Sequence, residues 1–194
     1  TDSGSDNNAT TLALASTLRD TTAPSAIDLI NGTAGIQATE SQYYLLANAG
    51  AGKALVSNIA LSGDTDIATI KVIVGGAVAD TTNDKLLLVG TNTDTINLNT
   101  SAQTGTETIG GIALDWSYTI DKVLSISISK TAGGAFTAAQ TQTIEQALQF
   151  KTTSGATQGD RTFTLSHTDL SGNNGTSATE TITVDTTAPS ATLT

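Results

Sequence analysis

The stretch IGGIALDWSYTI, residues 109–120, places Ile112, Leu114, Trp116, Tyr118 and Ile120 at every second position for five steps. Side chains of an extended chain point alternately to opposite sides, so this period of two sets one apolar face on a core. The same reading extends outward. In IATIKVIV, residues 67–74, Ile70, Val72 and Val74 share a face. KLLLV (85–89), KVLSISIS (122–129), RTFTLSH (161–167) and TETITV (179–184) are further segments rich in Thr, Ile and Val, bounded by Gly, Asn and Asp. Six or more short strands predict an all-β fold, an antiparallel β-sandwich. One segment departs from it. Thr137-Ala-Ala-Gln140 has the pattern of a capping box, and Ile144, Ala147 and Leu148 follow at helical spacing, which predicts one short helix over 138–149. The segment ESQYYLLANAGAGK, residues 40–53, fits either a strand or an irregular loop.

A chain of 194 residues can bury one β domain or two small ones. Eighteen acidic side chains oppose eight basic ones, for a net charge of −10. The basic residues are scattered singly, so no basic stripe exists to displace counterions from phosphates, which argues against a nucleic-acid partner. Cysteine and methionine are absent. That suits an exported chain, and an extracellular module without disulfides needs another staple, for which bound metal is the usual solution. No apolar run approaches the roughly 18 residues that span a bilayer, so no direct membrane insertion is expected. TDSGSDNN lacks the basic start and apolar stretch of a signal peptide, so an export signal is expected elsewhere in a longer parent.

The heptapeptide DTTAPSA occurs at 20–26 and again at 185–191, and its two copies hold both prolines of the chain. Proline fixes φ and biases its predecessor towards extended geometry, so each copy reads as a stiff connector. The two copies lie 165 residues apart and mark one repeat unit. TDSGSDNNATTLALASTLR before the first copy is related to TDLSGNNGTSATETITV before the second. Residues 1–19 therefore read as the tail strand of a preceding repeat, or as part of this domain's own sheet. Residues 27–184 form the sandwich module, and 185–194 lead into the next repeat.

The residue inventory argues against an enzyme. His167 is the sole histidine and cysteine is absent, so Cys/His nucleophilic sites and zinc sites lack their ligands, and any Ser/His/Asp triad must use His167. His167 continues the Phe163 and Leu165 face of a strand and reads as a structural histidine at its end. Hard cations fare better. Calcium takes six to eight oxygens from carboxylates, Asn side chains and carbonyls, which acidic turns at strand ends supply. Gly63-Asp-Thr-Asp66 is the sharpest case, since residues two apart project to the same side. Asp160 beside Arg161, and Asp169 followed by Ser171-Gly-Asn-Asn174, are two more acidic turns at opposite ends of one predicted strand. None has the EF-hand pattern, so a site is expected to be assembled from separated segments.

The stretch from Thr137 to Val184 resembles the C-terminal half of the cadherin-like and bacterial immunoglobulin-like repeats of giant repeats-in-toxin adhesins. It has, in order, a short helix, a strand, a GDRT turn, a strand, a TD-x-x-G turn and a closing strand before a DTTAPSA connector. IALSGDTDIATIKVIVGG resembles the D-x-D segment of the same repeats, and TETIGGIALDWSYTIDKVLSISIS their middle hairpin. The resemblance covers about residues 54–191. It implies calcium ions at domain junctions, held by Asp64 and Asp66, Asp160, Asp169 and Asp185, with Asp20 serving the preceding junction and Glu40 taking the part of the early glutamate of cadherins. It also implies a monomeric module on the bacterial cell surface, with neighbouring repeats as partners in the chain. Such repeats are commonly near 100 residues, and the excess here falls in 31–60 and 75–107, read as long polar loops of the kind that carry binding function. The expectation is a calcium-dependent ligand-binding module for a short peptide or glycan. The alternative is a calcium-rigidified extender with no ligand of its own.

Overall fold

The computed structural model describes residues 21–24, 26–29, 39–45, 50–56, 59–62, 66–75, 80–99, 101–120 and 123–186. The expected all-β sandwich with one short helix is what these residues form. The strands are β1 (Ala26–Asp28), β2 (Thr39–Leu45), β3 (Lys53–Ala54), β4 (Ala60–Ser62), β5 (Ile67–Gly75), β6 (Lys85–Leu88), β7 (Asp94–Asn97), β8 (Gln103–Ile109), β9 (Ile112–Thr119), β10 (Leu124–Lys130), β11 (Leu148–Lys151), β12 (Gly159–Asp169) and β13 (Ala178–Asp185), with α1 (Ala138–Gln146) before β11. A large sheet runs in the order β2-β13-β12-β5-β10-β9-β8, a smaller one β3-β11-β6-β7, and β1 pairs with β4. Pairing is antiparallel throughout, except that β2 lies parallel to β13 at the edge of the large sheet.

Period-two patterning decides which way each strand faces. In β12, Arg161, Phe163, Leu165, His167 and Asp169 turn inward, while Thr162, Thr164, Ser166 and Thr168 between them are only half-buried. One apolar cluster joins both sheets, with Trp116, Ile126, Val72 and Leu165 from the large one and Leu86, Ile96, Leu148 and Phe150 from the small one. Phe150 of β11 meets Tyr44 of β2 edge-on at 5.4 Å and Phe163 of β12 at 5.6 Å. Each such contact contributes about 1 kcal/mol beyond area burial and ties the sheets face to face.

The helix starts where the sequence places it. Thr137 Oγ1 accepts from the Gln140 amide at 3.3 Å, and Gln140 Oε1 accepts from the Thr137 amide at 3.0 Å, a complete capping box. It ends earlier than 149. Leu148 and Phe150 follow period two as buried positions of β11, whose backbone bonds to β6 and β3 replace the helical ones. Segment 40–53 resolves into β2 and the start of β3, with 46–49 outside the described residues. Of the excess stretch 75–107, residues 76–79 and 100 lie outside the described residues; KLLLV forms β6 as expected, and 90–107 is not a long loop but supplies β7 and most of β8, with Ile96, Leu98 and Ile109 as buried anchors.

Gly105 of β8 lies opposite Trp116 of β9, and a Cβ there would stand 2.5 Å from the indole. The ring cannot yield freely, since its Nε1 donates to Asp94 Oδ2 at 2.5 Å. Gly105→Val is therefore expected to destabilise by about 1–3 kcal/mol through overpacking, read as a lowered urea midpoint. An unchanged midpoint would show that the ring swings aside.

Candidate functional site

Strand β12 is the ruler on which the predicted acidic residues are placed. At about 3.3 Å per residue, Asp160 and Asp169 stand about 30 Å apart. Each has a different neighbourhood.

At the Asp169 end, β12 turns back over residues 170–175. Asp169 is buried, and its carboxylate accepts from the Asn173 amide at 2.8 Å and from Asn173 Nδ2 at 2.7 Å. Burial pushes its pKa up, but hydrogen bonds from Asn173, Ser171 and Gly172 outweigh that and hold it below the ordinary carboxylate value. The turn is locked to the strand start beside it, where Leu170 donates its amide to the Asp66 carbonyl at 3.3 Å. Asp66 itself is exposed. The first connector reaches the same turn: Asn173 Nδ2 donates to the Thr22 carbonyl at 3.2 Å, and a Cβ on Gly175 would stand 3.0 Å from the Pro24 carbonyl. Asp66, Asp169 and the incoming connector thus meet at one end. Asp64 and Asp20, predicted for this junction, lie outside the described residues.

At the opposite end Asp160 is exposed and accepts from Thr183 Oγ1 at 2.6 Å. Asp185 is two residues beyond Thr183 on β13, so alternation puts it on the same outward face. Thr186, which opens the way out along the second connector, donates to Gln158 Oε1 at 3.2 Å. The chain therefore enters at one end of β12 and leaves at the other, with two of the predicted aspartates at each.

Glu40 belongs to neither end. It sits on the edge strand β2 directly opposite Glu180 of β13. Glu180 is fully buried, and burial together with the charge of Glu40 raises its pKa from 4.5 to about 8. Sequence reasoning passed over Glu180, although its phase was readable: in ATETITVD it shares the inward set with Ala178, Ile182 and Val184. Among the described residues, no three acidic or histidine side chains converge as a ready-made metal cage.

Two inward polar residues have structural partners. His167 Nε2 lies 2.8 Å from Glu145 Oε1 of α1, both fully buried, so the histidine pins the helix to the large sheet. Arg161 of the GDRT turn points inward, away from Asp160, and pairs with Asp84 at 2.8 Å. Asp84 lies just before β6 and was not singled out, because nothing local ties it to a residue 77 positions away.

Comparisons with family models, with curated proteins and with solved structures find no match. The site must be read from its own chemistry. The outward face of the large sheet carries an open groove of about 470 Å³ lined by Thr69, Thr104, Thr106, Asp115, Ser127 and Ser129 among others. Its hydroxyls both donate and accept, and its one charged side chain, Asp115, is held by Thr131 Oγ1 at 2.8 Å. Among the described residues, no helix is long and apolar enough to cross a membrane.

Proposed function

We propose that this chain is an extracellular, calcium-dependent module of a bacterial surface adhesin, set in line between neighbouring repeats and stiffened by calcium at its joints. The observation that carries the reading is the opposed placement of its ends. The first connector docks beside Asp66 and Asp169, and the chain leaves β13 beside Asp160 and Asp185. Identical connectors then set each repeat end to end with the next, and oxygen ligands gather at every joint. Calcium suits such joints because it accepts carboxylates, amide oxygens and carbonyls in flexible geometry.

The test is thermal melting of the chain with calcium and after its removal. Calcium is expected to raise Tm markedly, because only the folded chain assembles the carboxylates and binding at a hundred times Kd contributes about 2.7 kcal/mol. Asp66→Asn with Asp169→Asn should remove part of that gain. An identical Tm in both conditions would sink the calcium claim.

A second reading, that the module itself grips a short peptide or glycan, draws on the hydroxyl-lined groove. Glycan and peptide arrays run with calcium and with chelator separate the two. A calcium-dependent hit lost on blocking the groove with Ser127→Arg establishes a binder, and silence on both arrays leaves the extender.

A further inference from the structure

The seam between the edge strand β2 and β13 holds an imbalance. Glu180 is fully buried, and neither of its carboxylate oxygens has a hydrogen-bond partner. Glu40, its register neighbour on β2, has one oxygen, Oε2, that is likewise buried without a partner. Gln42 and Lys53 act favourably on the Glu180 carboxylate but leave its two oxygens without a hydrogen-bond partner. The Gln42 amide nitrogen is turned to the Ala54 and Leu55 carbonyls at 3.4 and 3.2 Å. Lys53 of β3 is close enough for its charge to act on Glu180, yet the ion pairs among the described residues are Arg161–Asp84 and His167–Glu145. The facing residue of β12 is Phe163, which offers no polar atom. Three buried carboxylate oxygens on two adjacent strands are therefore left without a hydrogen-bond partner, and no ion pair is made to them.

Two occupants can satisfy such a pair, a shared proton or a hard cation. A proton bridges two oxygens and strands the third. A divalent cation with six to eight oxygen ligands contacts all three, with the Gln42 carbonyl oxygen and water for the rest. Glu40 is only half-buried, so the pair has a route to solvent along the edge strand.

We propose that Glu40 and Glu180 form a cation site inside the sandwich, in which a divalent ion such as calcium clasps the parallel edge strand β2 to β13. This site lies at the third residue of β13, which pairs with Phe163 part-way along β12, apart from both acidic ends. It rests on the calcium dependence proposed above but places an ion where no joint is. Its work is local: β2 is held to the sheet by one neighbour only, and ionised carboxylates facing each other across that seam would push it away.

Calorimetric titration of the full chain with calcium chloride tests it. Glu180→Gln is expected to bind one ion fewer than the unsubstituted chain, and Glu40→Gln the same. Asp66→Asn with Asp169→Asn is expected to lose a different ion, so that combining it with Glu180→Gln removes both. An unchanged ion count in a folded Glu180→Gln chain, as a shared proton would give, overturns the inference. It leaves the joint sites standing as long as the aspartate variant still loses its ion. Should either glutamine variant fail to fold, hydrogen exchange of the unsubstituted chain decides. Calcium is expected to slow the amides of β2 at least tenfold more than those of β9, and equal slowing overturns the proposal. If calcium binds nowhere, the proposed function fails together with this site.

Discussion

Asp84→Ala is expected to be the most destabilising single substitution in this chain, at about 3–5 kcal/mol, because it strips a fully buried arginine of its counter-charge. Arg161 Nε donates to Asp84 Oδ2 at 2.8 Å, while its Nη1 and Nη2 donate to the Gly159 and Thr157 carbonyls at 2.8 Å each. The carboxylate also accepts from Thr152 Oγ1 at 2.8 Å and from the Asp80 amide at 3.0 Å. One residue thus joins the loop before β6, the end of β11 and the start of β12. Without it the guanidinium keeps two carbonyls but no anion, in a setting where an unpaired charge costs several kcal/mol. For a chain of this size the loss corresponds to a fall in Tm of about 10 °C. Urea unfolding of Asp84→Ala, Arg161→Met and the double variant reads the coupling. The double variant should be more stable than Asp84→Ala alone, since it removes the stranded charge. A loss below about 1 kcal/mol in Asp84→Ala would show that water reaches the guanidinium.

How far the fold was legible follows from which interactions are local. Alternation in 109–120 and 161–167 is a property of neighbouring residues, and it placed Trp116, Tyr118, Phe163 and Leu165 on the core without error. The capping box is equally local and set the start of α1. The helix ends before the expected 149 because Leu148 fits both a helical and a strand period, and pairing with β6 decides between them. KLLLV (85–89) reads as a strand and is β6, whereas the polar stretches on either side of it within 75–107 read as loop. Ile96 of β7 and Ile109 of β8 are the buried apolar anchors of two further short strands whose other positions are mostly polar and only partly covered.

For the candidate site, the turn after Asp169 is where the sequence puts it, Asp160 lies inside β12 near its start and not in a turn, and residues 63–65 of the third acidic turn lie outside the described residues. Alternation puts Arg161 in the inward phase with Phe163 and Leu165 and Asp160 in the outward one, but nothing local names Asp84 as the partner of Arg161. Nor could the sequence show that Glu40 meets Glu180: parallel pairing of β2 with β13 joins the two ends of the module, and no local pattern encodes that register. An acidic residue in the inward phase of a strand was the one signal available for Glu180.

That same residue sets the second large expectation, a stability that falls as pH rises through neutrality in calcium-free buffer. Glu180 titrates near pH 8 in the folded chain, against 4.5 for the free side chain. Between these values the folded state holds a proton that the unfolded state has released. Stability is therefore greatest at the acidic edge of this window, declines as pH rises from about 4.5 to 8, and levels off above it. At about 1.4 kcal/mol per unit, and allowing for sharing of the proton with Glu40, the decline amounts to about 2–4 kcal/mol. The opposite limb comes from other groups. Asp80 is held at about 2, where hydrogen bonds from Asn83, Thr157 and Thr82 overcome the upward push of burial, and Glu107 and Asp169 are lowered in the same manner. Their contributions are present above the ordinary carboxylate range and are lost as pH falls through their folded values. The two limbs place the maximum near pH 5. Urea midpoints measured from pH 3 to 9 should trace that shape, and Glu180→Gln should flatten the neutral limb while sparing the acid one, because the amide is never charged. A midpoint that stays level from pH 5 to 8.5 in the unsubstituted chain would mean that Glu180 is ionised and solvated in the folded state. Adding calcium should restore stability most at pH 8, where the proton on Glu180 is leaving, and least at pH 5, where that proton already occupies the seam.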